Sequence, residues 1–357
     1  MKKILFTAYS LDVGGIETAL ITLLKYLAPQ YEITLALEKK QGMFLDEVPS
    51  NVKIITYTPS SNKIKLVRKA INFIKQINFK LKYHNKFDFA GCYATYSLPD
   101  SFMARVASKN NALWVHNNYM NFYNNEINEY KNFFKNIKIY DFKNIIFVSE
   151  LDKKIFKAQF PECNKKTITC NNLIDYKKII EMSQEKVEDF KKEKLPTFIN
   201  IGRHDEKQKK LSRIINATRQ LKKEGYKFRV IFIGKGTETK TYQNMAKDLN
   251  NIEFLGAKKN PYPYLKNSDC LLLSSQFEGY PVVFVEAQIL GEPIVTTNVS
   301  DSNKTIQGKY GIVVENSEKG VYEGMKKYLN EGCITQKFDP KEYNENIVQK
   351  LKIIIEK

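Results

Sequence analysis

Short apolar runs and longer helical patterns alternate along the chain. Ile4-Leu5-Phe6-Thr7 passes through Gly14-Gly15 into a helical pattern from Ile16 to Leu27, and Tyr31-Glu32-Ile33-Thr34-Leu35-Ala36-Leu37 follows as the next extended run. Strand, helix, strand is a βαβ opening. The alternation weakens between about Tyr57 and Asn144 and resumes with Ile145-Ile146-Phe147-Val148. A second, clearer series begins at Phe198. Phe198-Ile199-Asn200-Ile201, Phe228 to Ile233, Ile252 to Leu255, Cys270 to Leu273, Pro293 to Thr296 and Ile312 to Val314 read as strands, with helical patterns between most of them. Such continuous apolar runs belong to strands buried on both faces, so each series predicts a parallel sheet covered by helices. The Lys- and Glu-rich stretch between the two series reads as a connecting helix. The expected organisation is therefore an α/β domain over 1–176, a linker helix over 177–195, a second α/β domain over 196–335 and a C-terminal helix over 336–357. Two doubly wound domains facing across a cleft would bind ligands in that cleft.

Length agrees with this division, since 357 residues is about twice a typical domain. A hydrophobic content of 43% with 27% charged residues excludes a largely disordered chain. Charge adds a partner class: a net +18 attracts polyanions or an acidic membrane surface. Five cysteines, Cys92, Cys163, Cys170, Cys270 and Cys333, are odd in number and lack C-x-x-C spacing. Neither a disulfide framework nor a zinc site is favoured, and a reducing cytoplasm fits best. No apolar run approaches the roughly 20 residues of a membrane span. The start of the chain reaches Asp12-Val13-Gly14-Gly15 too early for a secretory signal. The expected location is the cytoplasm.

Candidate chemistry concentrates in two loops of the second series. In Ser274-Ser275-Gln276-Phe277-Glu278-Gly279-Tyr280-Pro281-Val282-Val283-Phe284-Val285-Glu286-Ala287 a strand ends, a tight loop follows and a helix starts near Pro281. That places unpaired backbone N–H groups at the carboxyl end of a strand, where an anion binds well. Glu278 in the loop and Glu286 in the helix address different parts of a long ligand and can accept hydrogen bonds from its hydroxyls. Spacing alone equally allows one loop Glu and one solvated helix Glu. The second loop, Ile201-Gly202-Arg203-His204-Asp205-Glu206-Lys207-Gln208-Lys209-Lys210, gathers cations suited to a diphosphate, though a basic cluster before a helix also reads as a solvated face. Gly14-Gly15 and Gly234-Lys235-Gly236 are tight turns, and His116 follows the apolar run Leu113-Trp114-Val115.

Together these segments resemble family 4 retaining glycosyltransferases of the GT-B fold, built from two Rossmann-like domains. Glu278 and Glu286 match the E-x7-E signature, with the glycine, proline and alanine positions also agreeing. The resemblance implies that Glu278 contacts the transferred sugar and that Glu286 binds the ribose hydroxyls of the nucleotide. Gly279, Tyr280, Pro281, Val282 and Val283 would line the donor between them. Arg203 and Lys209 match the family's diphosphate-binding Arg and Lys. The family often has Gly after that lysine where this chain has Lys210, so Lys207 or Lys210 would share the work. Gly14-Gly15-Ile16-Glu17 resembles a G-G-x-E loop that approaches the donor phosphate, and Gly234-Lys235-Gly236 a G-x-G turn beside the nucleotide. His116 resembles the histidine that reaches the sugar, and Asn172 the start of an N-x-x-D turn.

The resemblance makes the first domain acceptor-binding and the second nucleotide-sugar-binding. It implies transfer of a hexose from a nucleoside diphosphate sugar, with UDP preferred, to a glycan or lipid-linked oligosaccharide in capsule or exopolysaccharide synthesis. Front-face departure and attack would retain configuration. The sequence contains no D-x-D and no metal-ligand cluster, so the expectation is no cofactor and no metal, with Arg203, Lys209 and helix N-termini carrying the charge. Two other readings are a GT-B-like sugar-nucleotide epimerase, for which no acid and base are identifiable, and a non-enzymatic polyanion binder. Nucleic acid is not an expected partner, because no aromatic-basic motif accompanies the charge.

One segment carries the strongest charge asymmetry. Between Glu47 and Asp88 there is no acidic residue, while Lys53, Lys63, Lys65, Arg68, Lys69, Lys75, Lys80, Lys82 and Lys86 supply nine positive charges. On a helical projection Val67, Ala70, Ile71, Ile74, Ile77 and Leu81 share a face. The segment reads either as a helix packed on its own sheet or as a dock for an anionic membrane surface, which would make the protein peripheral on the inner face of the membrane.

Overall fold

A computed structural model describes residues 1–12 and 14–356. Val13 of the glycine loop and Lys357 of the terminal helix lie outside the described residues. The chain divides into two compact units, one formed by Met1–Ile174 with Tyr343–Lys357 and the other by Asp175–Glu342.

The first unit is a seven-stranded sheet of β1 (Lys3–Ala8), β2 (Glu32–Leu37), β3 (Lys53–Thr56), β4 (Phe89–Cys92), β5 (Asn111–Val115), β6 (Asn144–Phe147) and β7 (Thr167–Thr169). Every pairing is parallel, in the order β3-β2-β1-β4-β5-β6-β7. Ile4 sits between Ile33 and Phe89. β4 and β5 escape the sequence pattern because Phe-Ala-Gly-Cys is too short to show a period and β5 opens on Asn111. Gly91 fits there because a Cβ would meet the rings of Phe6 and Trp114 at 2.7 and 2.9 Å. On one face α1 (Gly15–Leu27) packs Leu20, Leu23, Leu24 and Leu27 onto Ile4, Phe6 and Leu35. The helix Pro340–Glu356 adds Ile347, Leu351, Ile354 and Ile355 to the same core. On the other face lie α2 (Lys65–Tyr83), α3 (Leu98–Ala107) and a cluster around Phe134, Phe147 and Phe156.

The second unit is a six-stranded parallel sheet of β8 (Thr197–Ile201), β9 (Arg229–Ile233), β10 (Ile252–Gly256), β11 (Cys270–Leu273), β12 (Ile294–Thr297) and β13 (Gly311–Val314), ordered β10-β9-β8-β11-β12-β13. All six apolar runs of the second series form strands. In both sheets the chain reverses its direction of travel beside the first strand, between β1 and β4 and between β8 and β11. Carboxyl ends at such a switch point are where doubly wound sheets bind ligands.

The linker helix expected over 177–195 is only a single short helix, Tyr176–Met182, followed by chain without helix up to β8. Lys and Glu raise helical propensity there, but tertiary anchors win. Phe190 is buried, Tyr264 Oη donates to Asp189 at 2.6 Å, and Arg229 bonds the Lys191 carbonyl at 3.1 Å and Glu193 at 3.0 Å. The stretch is a strap on the second unit. Among the described residues no helix is long and apolar enough to cross a membrane.

Candidate functional site

Paired strands bring the two loops of the second unit side by side. β8 and β11 are neighbours, with Ile199 opposite Leu271, so the loop 202–210 after β8 lies against the loop 274–281 after β11. Ser274 Oγ donates to the carbonyls of Lys209 and Lys210 at 2.9 Å, and the Gln276 amide donates to the Gln208 carbonyl at 2.7 Å. Arg213, on the helix Leu211–Lys223, braces the junction through the Ser274 carbonyl, Gln276 and Asn316.

This stitching buries Glu278, which is 6% exposed. Its Oε1 accepts from Lys209 Nζ at 2.5 Å and from Ser275 Oγ at 2.7 Å, and its Oε2 accepts from Gln208 Nε2 at 3.2 Å. Gln208 Oε1 in turn accepts from Arg203 Nη2 at 2.9 Å. Arg203, Lys209 and Glu278 are thus one network at the switch point. A buried carboxylate with three donors is fixed in orientation, and the exposed guanidinium beside it presents N–H groups in fork geometry. Of the three lysines, Lys209 meets Glu278. Lys210 has a left-handed backbone (φ 52°) and pairs with Glu206 at 3.7 Å instead, and Lys207 is exposed. Gln208 and Ser275 were not singled out in the sequence. Their signal was position: polar residues one before Lys209 and three before Glu278, beyond buried strand ends.

Gly234 is required by its surroundings. Its φ is +146°, and a Cβ would lie 1.8 Å from the Gly202 carbonyl oxygen; at Gly236 a Cβ would lie 2.2 Å from that of His204. The β8 and β9 loops therefore touch backbone to backbone. His204 is buried between them, with Nδ1 2.9 Å from Thr239 Oγ1.

Gly279 and Tyr280 lead into the helix Val282–Leu290, and Ser300 Oγ donates to the Gly279 carbonyl. Pro281 caps the helix, so Val282 and Val283 fall in the first turn, whose N–H groups lack intrahelical acceptors. Glu286, one turn further on, stands outside the Lys209 network. Tyr262 Oη donates to it at 3.3 Å, and burial pushes its carboxyl up to about 7. Glu292 is pushed to about 7 by the same cause.

A folded-state value near 7 against an ordinary 4.5 means that the folded protein holds more protons than the unfolded chain between those limits. Stability therefore falls as pH rises from about 4 to 7. Glu286→Gln is expected to flatten part of that slope, with Glu292 and the other carboxyls that burial raises, Glu38 and Asp100, contributing to what remains. Urea midpoints at pH 5 and pH 7.5 measure it, and an unchanged slope in the variant refutes it.

The first unit holds the remaining sequence candidates at carboxyl ends of its own strands. Gly14 caps α1, and Glu17 folds back over it so closely that a Cβ would lie 2.3 Å from Glu17 Oε2; Gly15 opens the helix. His116 follows β5, buried, its ring 4.4 Å from that of Tyr93. Burial lowers it to about 3, so it is neutral at physiological pH, and its Nε2 has no protein partner. Asn172 ties the terminal helix down: its side chain accepts from Tyr93 Oη at 3.3 Å and its carbonyl from Tyr343 Oη at 3.2 Å. Two carboxyls missed in the sequence sit nearby. Glu38, just past β2, accepts from Ser97 Oγ, while Asp100 on α3 is fully buried with both side-chain oxygens unbonded. Burial raises both. Glu38 ends a strand pattern and Asp100 looks like an ordinary helix-cap residue, so neither carries a sequence signature.

Residues 181–347, which contain the whole Arg203-Lys209-Glu278 network, match the family model of glycosyl transferases group 1. The match falls almost wholly within the second unit. An uncharacterized glycosyltransferase of Methanocaldococcus jannaschii is 30% identical over 227 residues, 57% of this chain and 55% of that protein. The capsular polysaccharide biosynthesis glycosyltransferase CapM of Staphylococcus aureus is 26% identical over 210 residues, 54% of each. The chain spans about half the length of these curated relatives. Its fold is similar to that of Anabaena HepE, solved in complex with UDP and glucose, with a TM-score of 0.76 at 16% identity over 99% of this chain and 100% of that one. The chain is thus built of two Rossmann-like α/β units, the GT-B fold class.

Proposed function

We propose that the protein is a retaining glycosyltransferase that moves a hexose from a UDP-sugar to a lipid-carried glycan in cell-surface polysaccharide synthesis. The observation that carries this reading is the buried Glu278, clamped by Lys209, Gln208 and Ser275 beside Arg203 at the β8/β11 switch point. Arg203 and Lys209 bind the diphosphate and stabilise its charge as the glycosidic bond breaks. Glu278 accepts hydrogen bonds from the sugar hydroxyls, and Glu286 from the ribose. Neutral His116 offers its unpartnered Nε2 to the transferred sugar. The departing phosphate takes the acceptor's proton on the face it leaves, which retains the anomeric configuration. UDP and capsule-type glycans are supported by what HepE was solved with and by the name of CapM.

Thermal shift against UDP, GDP and ADP tests the donor assignment. UDP at about 100 times its Kd adds about 2.7 kcal/mol of stability, and NMR of the transfer product shows the donor's anomeric configuration preserved. Stabilisation by no nucleoside diphosphate overturns the reading. Because Arg203 and Lys209 supply the positive charge, turnover is expected to survive EDTA; loss restored only by added divalent ion contradicts that assignment.

A further inference from the structure

Helix α2 turns its apolar stripe away from the protein. At 100° per residue, Arg68, Asn72, Lys75, Phe79 and Tyr83 form one stripe, and this mixed stripe is the one that packs. Asn72 Oδ1 accepts from the Ser60 amide at 2.6 Å, Lys75 Nζ donates to the Thr58 carbonyl at 2.7 Å and Arg68 donates to the Asn62 carbonyl at 3.1 Å. Phe79 is the buried anchor, 5.5 Å from the ring of Tyr57. On the opposite side Leu66, Phe73, Ile74 and Leu81 are 78, 63, 57 and 79% exposed, with Val67 and Ile77 between them. A surface helix ordinarily buries its apolar stripe. Here Ile71 alone of the predicted apolar face turns toward the packed side.

We propose that α2 lies in the interface of an anionic bilayer, with the Leu66-Phe73-Ile74-Leu81 stripe among the acyl chains and Lys69 and Lys80 along its flank on lipid phosphates. Charge complementarity selects this occupant. Residues 48–87 carry nine basic and no acidic side chains, so a second copy of this face would bring like charges together. An anionic bilayer offers an apolar interior and a negative rim in one surface. The binding does not depend on the reaction proposed above. Its consequence does rest on that reading: the unit that would receive the acceptor is held where a lipid-carried glycan is presented.

Co-sedimentation with phosphatidylcholine vesicles, with and without phosphatidylglycerol, tests this with the full chain. Binding is expected to the anionic vesicles only, weakening with salt. Lys69→Glu with Lys80→Glu, and separately Ile74→Ser with Leu81→Ser, are each expected to lower it roughly tenfold or more. All four side chains are exposed, so Tm should stay at the wild-type value. Lys75 is left intact because it holds Thr58. Equal binding to both vesicle types, no binding, or wild-type binding by both variants overturns the proposal. So does dimerisation that Ile74→Ser abolishes in a protein that ignores vesicles, which would make the face a self-association surface.

Discussion

Arg203→Ala lowers kcat by roughly 10²-fold or more, the scale on which loss of one preorganised donor to developing charge is felt, or about 2.7 kcal/mol of transition-state stabilisation. Arg203 is the clean test of the two cations. Its guanidinium is exposed and its bond within the network is to Gln208, so its removal leaves no charge stranded in the interior. Folding should be unchanged within a few tenths of a kcal/mol. Lys209→Ala should cost at least as much turnover, but it also strips Glu278 of its ammonium partner, so its Tm drops as well. Single-turnover rates with a UDP-sugar, read beside thermal melts, separate the two effects. Wild-type turnover in Arg203→Ala would remove the diphosphate role from this loop.

The second large effect is a split between the two glutamates. Glu278→Ala leaves Lys209 Nζ, Gln208 Nε2 and Ser275 Oγ without their acceptor in a site that is largely closed to water. Breaking a buried pair from one side costs about 3–5 kcal/mol, so this variant should melt early as well as fail to transfer sugar. Glu278→Gln keeps the shape and one acceptor; it should regain most of the stability and little of the activity. Glu286→Ala should do the opposite. Its carboxyl is disfavoured by its burial and held by one long bond from Tyr262, so truncation leaves stability near wild type while weakening UDP binding. Calorimetric titration with UDP and urea unfolding of the three variants measure both quantities. Unchanged UDP affinity in Glu286→Ala would end the ribose assignment, and a wild-type urea midpoint in Glu278→Ala would show that the ion pair stabilises nothing.

Sequence by itself determined the parallel sheet of the second unit. Runs such as Phe198-Ile199-Asn200-Ile201 and Cys270-Leu271-Leu272-Leu273 are apolar on both faces, and only a sheet covered by helices on each side buries such a strand. The loops after those strands were legible too, since Gly202 and Gly279 mark where the chain turns. The pairing of Lys209 with Glu278 was not, because the two lie 69 residues apart and meet only once β8 and β11 become neighbours. The resemblance had named Lys209, but that Lys210 turns to Glu206 instead of sharing Glu278 is seen only in the fold. Helix α2 shows the limit most plainly. Its period announces an amphipathic helix, but a period fixes only the angle between stripes. Which stripe touches the protein was decided by tertiary packing: Phe79 is buried against Tyr57 and Phe102, and Lys75 and Asn72 bond the Thr58 carbonyl and the Ser60 amide on that same side, leaving the apolar stripe turned outward.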